Sequence, residues 1–195
     1  MNYFSKIECE IKPTASYQII KNCAGCGCKS TFVSTGNFRV NANGNRIDVW
    51  LIYQCDTCKH TYNLTIHERV RASELAKEEL QSFLTNDEEL AFSYGTDKNV
   101  FARNKAEIDR DKISYEVSLL DETEQLTSTS VVIRNPYDLK LRLDKVLSEL
   151  FKVNRNRIKN LIKDKTIVAV NDPVEHKITV IISETVEKNE EISNI

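Results

Sequence analysis

The chain has 195 residues, with 27 Lys and Arg against 29 Asp and Glu and a formal net charge of −2 at pH 7. That length suffices for one domain or two small ones with a real core, and no apolar run approaches the ~18 residues a bilayer-spanning helix needs. The near-neutral balance excludes a uniformly basic nucleic-acid binder. The charge is uneven, however: residues 140–165 hold nine cations and three anions, a local +6 between acidic flanks.

Residues 1–8 contain no apolar stretch and carry Glu8, so no secretory leader is expected at this end. The six cysteines (9, 23, 26, 28, 55, 58) could form three disulfides in an oxidising compartment, or one C-x-x-C could be a redox pair. Without export the thiols stay reduced, and two spaced pairs then point to a metal ion. Cys23-Ala24-Gly25-Cys26 and Cys55-Asp56-Thr57-Cys58, separated by 28 residues, offer four thiolates to one tetrahedral ion. Zinc favours such a four-sulfur cage, and a site filled by four protein ligands leaves no position for catalysis. Cys9 reads as a free thiol. Cys28, two residues past Cys26, reads as a small residue beside the site, and His60 as a surface histidine.

Gly27 follows the first pair, where a cysteine knuckle needs a left-handed residue; Lys59 holds the equivalent place after the second. Residues 38–42 and 47–53 are β-type and flank Asn43-Gly44, a dipeptide that favours a type I′ hairpin turn. Tyr62, Leu64 and Ile66 alternate with polar residues and predict a third strand.

Ala76, Leu80, Phe83 and Leu84 fall on one stripe of a helix. Thr85 with Glu88 suggests a capping box for a second helix ending near Gly95, and Thr96 suggests a short third one. Residues 104–112 are charged and aperiodic, as in a connector. Strands at 113–119 and 130–134 then suggest a hairpin.

Leu143, Val146, Leu147 and Leu150 define an amphipathic helix that begins near Asp144. After a break at Lys152-Val153, Asn154 suits the N-cap of another helix, in which Ile158, Leu161 and Ile162 form the apolar stripe. Arg155, Lys159 and Lys163 stack on another face at i, i+4 and i+8. Strands at 166–170 and 178–182 flank a turn at Asn171-Asp172-Pro173. By charge pattern alone, such a stripe is either a solvated helix face or a phosphate-binding surface.

The run Leu141-Arg142-Leu143-Asp144-Lys145-Val146-Leu147, then Asn154-Arg155-Asn156-Arg157, Leu161-Ile162-Lys163 and Ile167-Val168-Ala169-Val170-Asn171, resembles the α-L RNA-binding domain named from a small-subunit ribosomal protein. Its pattern runs R-L-D-x-x-L, S-R, L-I, G-x-V-x-V-N-G. Asn154, Lys165 and Asp172 stand where that pattern has Ser, Gly and Gly. With the cysteine pairs, the whole chain also resembles an uncharacterised bacterial family. The resemblance implies that Arg142, Arg155, Arg157, Lys159 and Lys163 face structured RNA, ribosomal or transfer, whose binding would weaken with salt.

The sequence therefore predicts an α+β, cytoplasmic protein. Its parts are an N-terminal three-stranded zinc ribbon (1–70), a helical middle segment with connecting strands (71–137), a C-terminal α-L, ribosomal protein S-four-like domain (138–185) and an acidic tail (186–195). The metal ligands are Cys23, Cys26, Cys55 and Cys58, holding one structural Zn2+, and the partner is RNA, as part of the ribosome or alone. A second reading makes both modules protein-binding scaffolds. Catalysis has little support: P-loop, H-E-x-x-H, G-x-S-x-G and dinucleotide glycine motifs are missing, and His60, His67 and His176 do not pair at ligand spacing. An RNA-modifying enzyme is the least supported alternative, and no small-molecule substrate is expected.

Overall fold

The computed structural model of the protein describes residues 5–120 and 128–182. Among these residues ten strands fall into two five-stranded sheets, and two compact units follow, residues 13–114 and residues 5–12 with 115–120 and 128–182.

The 13–114 unit is built on β2 (Ile19–Cys23), β3 (Cys28–Asn43), β4 (Arg46–Cys55), β5 (Thr61–Arg71) and the short β6 (Glu107–Ile108), in the order β5-β4-β3-β2-β6. Strict alternation makes β4 a strand: Ile47, Val49, Leu51, Tyr53 and Cys55 are buried, and the residues between them are half-exposed. Three short helices, α1 (Lys77–Thr85), α2 (Glu88–Thr96) and α3 (Lys98–Arg103), supply Phe83, Ala91, Val100 and Phe101 to the core. Their aromatic rings dock on strand residues, Phe38 on Phe83 at 4.9 Å and Tyr53 on Phe101 at 6.3 Å, both edge-on. Asn104 closes part of the β5 edge, accepting from the Thr65 N–H and donating to the Thr65 carbonyl.

The other unit has the order β7-β1-β8-β10-β9, from β1 (Ser5–Pro13), β7 (Tyr115–Leu119), β8 (Ser128–Arg134), β9 (Ile167–Asp172) and β10 (Lys177–Ile182). β1 runs parallel to β8, and β10 is antiparallel to both β8 and β9. Its core joins Cys9, Ile11, Val131, Ile133, Ile167 and Val180 to Val146 and Leu147 of α4 (Leu143–Phe151) and Ile158 of α5 (Arg155–Lys163).

The α+β reading, with its three-stranded ribbon, helical middle segment and S-four-like domain, is overturned: the protein is mostly β, organised by two sheets. β1 is the main cause. It joins β8, more than 100 residues away, by parallel pairing that leaves no local trace in sequence. α1, α2 and α3 do not stand apart as a segment, because they cover strands of the first sheet. α4, α5, β9 and β10 share one sheet with β1, β7 and β8, and no ribosomal-protein-like α-L fold is formed among the described residues.

Smaller expectations shift too. β7 and β8 are not a hairpin, since β1 lies between them. The β3–β4 loop is Gly44-Asn45, with positive φ at Gly44 only, which is the II′ arrangement. Thr85 ends α1 instead of capping α2; Asp87 caps α2 by accepting from the Leu90 N–H, and Asp97 caps α3. Leu84 is 58% exposed and leaves the expected stripe. Residues 186–195 lie outside the described residues. No described helix is long and apolar enough to cross a membrane.

Candidate metal centre

Cys23 ends β2 and Cys28 begins β3, and the four residues between them turn the chain over. The turn is a knuckle: the Gly27 N–H donates to the Cys23 carbonyl at 2.8 Å, and Gly27 takes φ +68°. Cys55 ends β4, and the second knuckle repeats the first. The Lys59 N–H donates to the Cys55 carbonyl at 3.0 Å, and Lys59 takes φ +62° despite its side chain. A non-glycine residue there costs ~1 kcal/mol, and the Lys59 ammonium, donating to the Asp56 carbonyl at 3.0 Å, closes the turn over itself.

These two turns bring the sulfurs of Cys23, Cys26, Cys55 and Cys58 within 4.8 Å of one another. Cys23 Sγ lies 3.4 Å from Cys58 Sγ, and Cys26 Sγ lies 3.8 Å from Cys55 Sγ. A tetrahedral ion with metal–sulfur bonds of about 2.3 Å places its sulfurs ~3.8 Å apart. The donor set therefore fits a metal ion, and all six cysteines are free of disulfides. Cys23 and Cys55 are buried, Cys26 is half-buried and Cys58 is exposed, so the cage opens to solvent on one side.

Backbone donors set the electrostatics. The Cys58 N–H, with help from the Thr57 N–H, pulls the Cys55 thiol down to about 6 against the opposing effect of burial. Cys26 is pushed up to about 12, by its neighbour Cys58 first and by burial second, while burial raises Cys23. A bound cation takes sulfur ligands in the thiolate form, so binding displaces the protons that burial favours on Cys23 and Cys26.

Gly25 was missed in the sequence and is required by this geometry. A Cβ at Gly25 would lie 2.8 Å from Cys58 Sγ and 3.4 Å from the His60 Cβ. The signal was present, since a glycine inside a ligand pair marks a close approach. Cys28 is outside the sulfur cluster, exposed, with Sγ 3.8 Å from Ser30 Oγ, and His60 is exposed. Cys9 is fully buried in the other unit, where burial pushes its thiol up to about 11.

The cations singled out in the sequence lie at the start of α4 and along α5. Asn154 caps α5 by accepting from the Asn156 N–H, and Lys165 closes its far end at φ +60°. Sequence reasoning did not foresee the role of Asp144. Its carboxylate accepts from Arg155 Nε at 2.9 Å and Nη2 at 2.7 Å, with Arg142 at 3.6 Å and Lys159 at 4.0 Å. Burial would raise the Asp144 carboxyl, but these cations outweigh it and hold it below the usual range. The side chain of Asp144 is 13% exposed. Arg157 and Lys163 take part in no ion pair among the described residues.

Comparison with curated proteins and with solved structures found no match. A family model described as "Protein of unknown function (DUF1062)" matches residues 40–173, more than half of the chain, including Cys55 and Cys58 but starting after Cys23 and Cys26. The chain thus combines a four-cysteine cluster that can hold a metal ion with membership of this DUF1062 family, to which it belongs.

Proposed function

We propose that this is a non-enzymatic zinc-binding protein, in which one Zn2+ fixes the two knuckles and so the free end of the β2–β3–β4 strands. The carrying observation is the closed set of four sulfurs within 4.8 Å. Four thiolates saturate a tetrahedral ion, favour zinc over harder cations, and leave no open position for a substrate or an activated water. A cytoplasmic location accompanies this reading, because free thiols persist in a reducing compartment.

The partner in this proposal is structured RNA, held by Arg142, Arg155, Arg157, Lys159 and Lys163. Each cation can neutralise a phosphate and release condensed counterions, and the two α5 arginines can bind phosphate oxygens in pairs. Asp144 supports the alternative of a protein-binding scaffold, since it engages three of these five cations. Arg157 and Lys163 separate the two readings, because reversing them leaves the Asp144 ion pairs intact. A gel shift with transfer or ribosomal RNA should be lost in the Arg157→Glu, Lys163→Glu double variant, with metal content and circular dichroism unchanged. An unaltered shift ends the assignment of RNA to this surface, and no shift by the unmodified protein at low salt favours the scaffold.

A further inference from the structure

The fifth cysteine at the metal centre is not a ligand, and its placement gives it a chemistry of its own. Cys28 is directly opposed to the ligand Cys23 in the antiparallel β2–β3 ladder. Opposed residues present side chains to the same face, and their Cα atoms lie about 4.5–5.5 Å apart, within the ~4.4–6.8 Å that a disulfide spans. The alternation of β3 puts Cys28 on one face with Ser30 and Phe32, and Cys28 Sγ lies 3.8 Å from Ser30 Oγ, outside the sulfur cluster. Cys28 is also exposed, whereas Cys23 and Cys55 are buried and Cys9 is sealed in the other unit. A soluble oxidant therefore meets one accessible sulfur that no ligand role occupies, one cross-strand step from a sulfur that holds the metal.

From this juxtaposition we propose that Cys28 is a thiol-modification site for low-molecular-weight disulfides, and that it passes the oxidation to Cys23, opening the metal cage. The proposal rests on the metal reading above. In the first step the Cys28 sulfur attacks a disulfide such as oxidised glutathione. A mixed disulfide forms at Cys28, the glutathione S–S bond breaks, and one glutathione leaves as thiol with the proton that Cys28 gives up. In the second step the Cys23 sulfur attacks Cys28, its bond to the metal breaks, and the second glutathione leaves, taking a proton from solvent. The two protein sulfurs lose two electrons and the glutathione disulfide gains them. The ion, left with three sulfur ligands, loses its closed coordination and becomes exchangeable. Free thiols restore the site by the reverse exchange.

The test uses the full-length protein as purified, treated with glutathione disulfide. A chromogenic chelator follows metal release, and alkylation with peptide mass mapping follows the sulfurs. The tryptic peptide 22–29 contains Cys23, Cys26 and Cys28, so fragmentation tells a 23–28 bridge from a 26–28 bridge. The expected result is a transient glutathione adduct on Cys28, a 23–28 bridge, and metal release slowed by about tenfold or more in Cys28→Ser, since exchange needs an accessible attacking sulfur. Equal release from Cys28→Ser overturns the proposal, as does a bridge that excludes Cys23 or Cys28. Should the purified chain hold no metal, the zinc reading fails by itself. The mapped bridge then still decides: 23–28 upholds the exchange, and a Cys28 that stays a mixed disulfide overturns it.

Discussion

Replacing Gly25 with alanine adds one methyl group at the tightest point of the cage. That Cβ would stand 2.8 Å from Cys58 Sγ, well inside ordinary contact, with Cys23 Sγ at 3.8 Å. The obstructing atom is a ligand sulfur whose position is set by its bond to the ion, so the knuckle backbone or the ligand must yield. Overpacking of this kind costs about 1–3 kcal/mol, which corresponds to a loss of ~5- to 150-fold in metal affinity. Gly27→Ala is the matched control. Nothing lies within 4 Å of its added Cβ, and its φ of +68° confines the penalty to backbone strain of ~1–2 kcal/mol. Competition against a chromogenic chelator measures both variants. Gly25→Ala should bind zinc more weakly than Gly27→Ala, and both more weakly than the unmodified chain. If Gly25→Ala binds as tightly as the unmodified protein, the sulfurs do not close on an ion in this arrangement and the reasoning fails.

Two further outcomes follow from the cores. Phe83 is 1% exposed and packs edge-on against Phe38 at 4.9 Å, so Phe83→Ala should lower the stability of the 13–114 unit by about 3–5 kcal/mol in urea denaturation; a change below ~1 kcal/mol contradicts the docking of α1 on the sheet. Cys9 should make stability fall at alkaline pH. Its folded-state value near 11 lies above the ordinary 9.0, so the unfolded chain loses this proton first; the contribution is intact below pH 9 and lost progressively as pH rises toward 11. Urea melts at pH 8 and pH 10.5 should show a steeper loss for the unmodified protein than for Cys9→Ala. Equal losses refute the burial of that thiol.

What sequence could reveal here was local. The two C-x-x-C pairs, the alternation of Leu64 and Ile66, and the Asn154 cap each sit within a few residues of the feature they specify, and the structure carries them. The turn at Gly44 was misread by one residue, because Asn43-Gly44 and Gly44-Asn45 both suit two-residue hairpins and only the paired register separates them. The α2 cap went to Asp87 over Thr85 once Asn86 adopted a left-handed conformation and donated its backbone N–H back to the Phe83 carbonyl. Lys59 and Lys165 are left-handed without being glycine, so the usual marker of such positions was missing. The larger misreading came from distance. β1 pairs with β8, and Asp144 gathers Arg142, Arg155 and Lys159, through contacts that no periodicity records. The three strands expected of the ribbon pair as β3, β4 and β5 but belong to a larger five-stranded sheet, while the sulfur cluster survives because each knuckle is fixed by its own backbone turn.

Native mass spectrometry of the full-length chain, purified without added metal, tests the central claim most directly. The account predicts one zinc ion per chain, abolished by Cys55→Ser, with chelation of the unmodified protein melting the strands that carry the knuckles. A chain that carries no zinc yet keeps its fold, or that retains full zinc after Cys55→Ser, contradicts it.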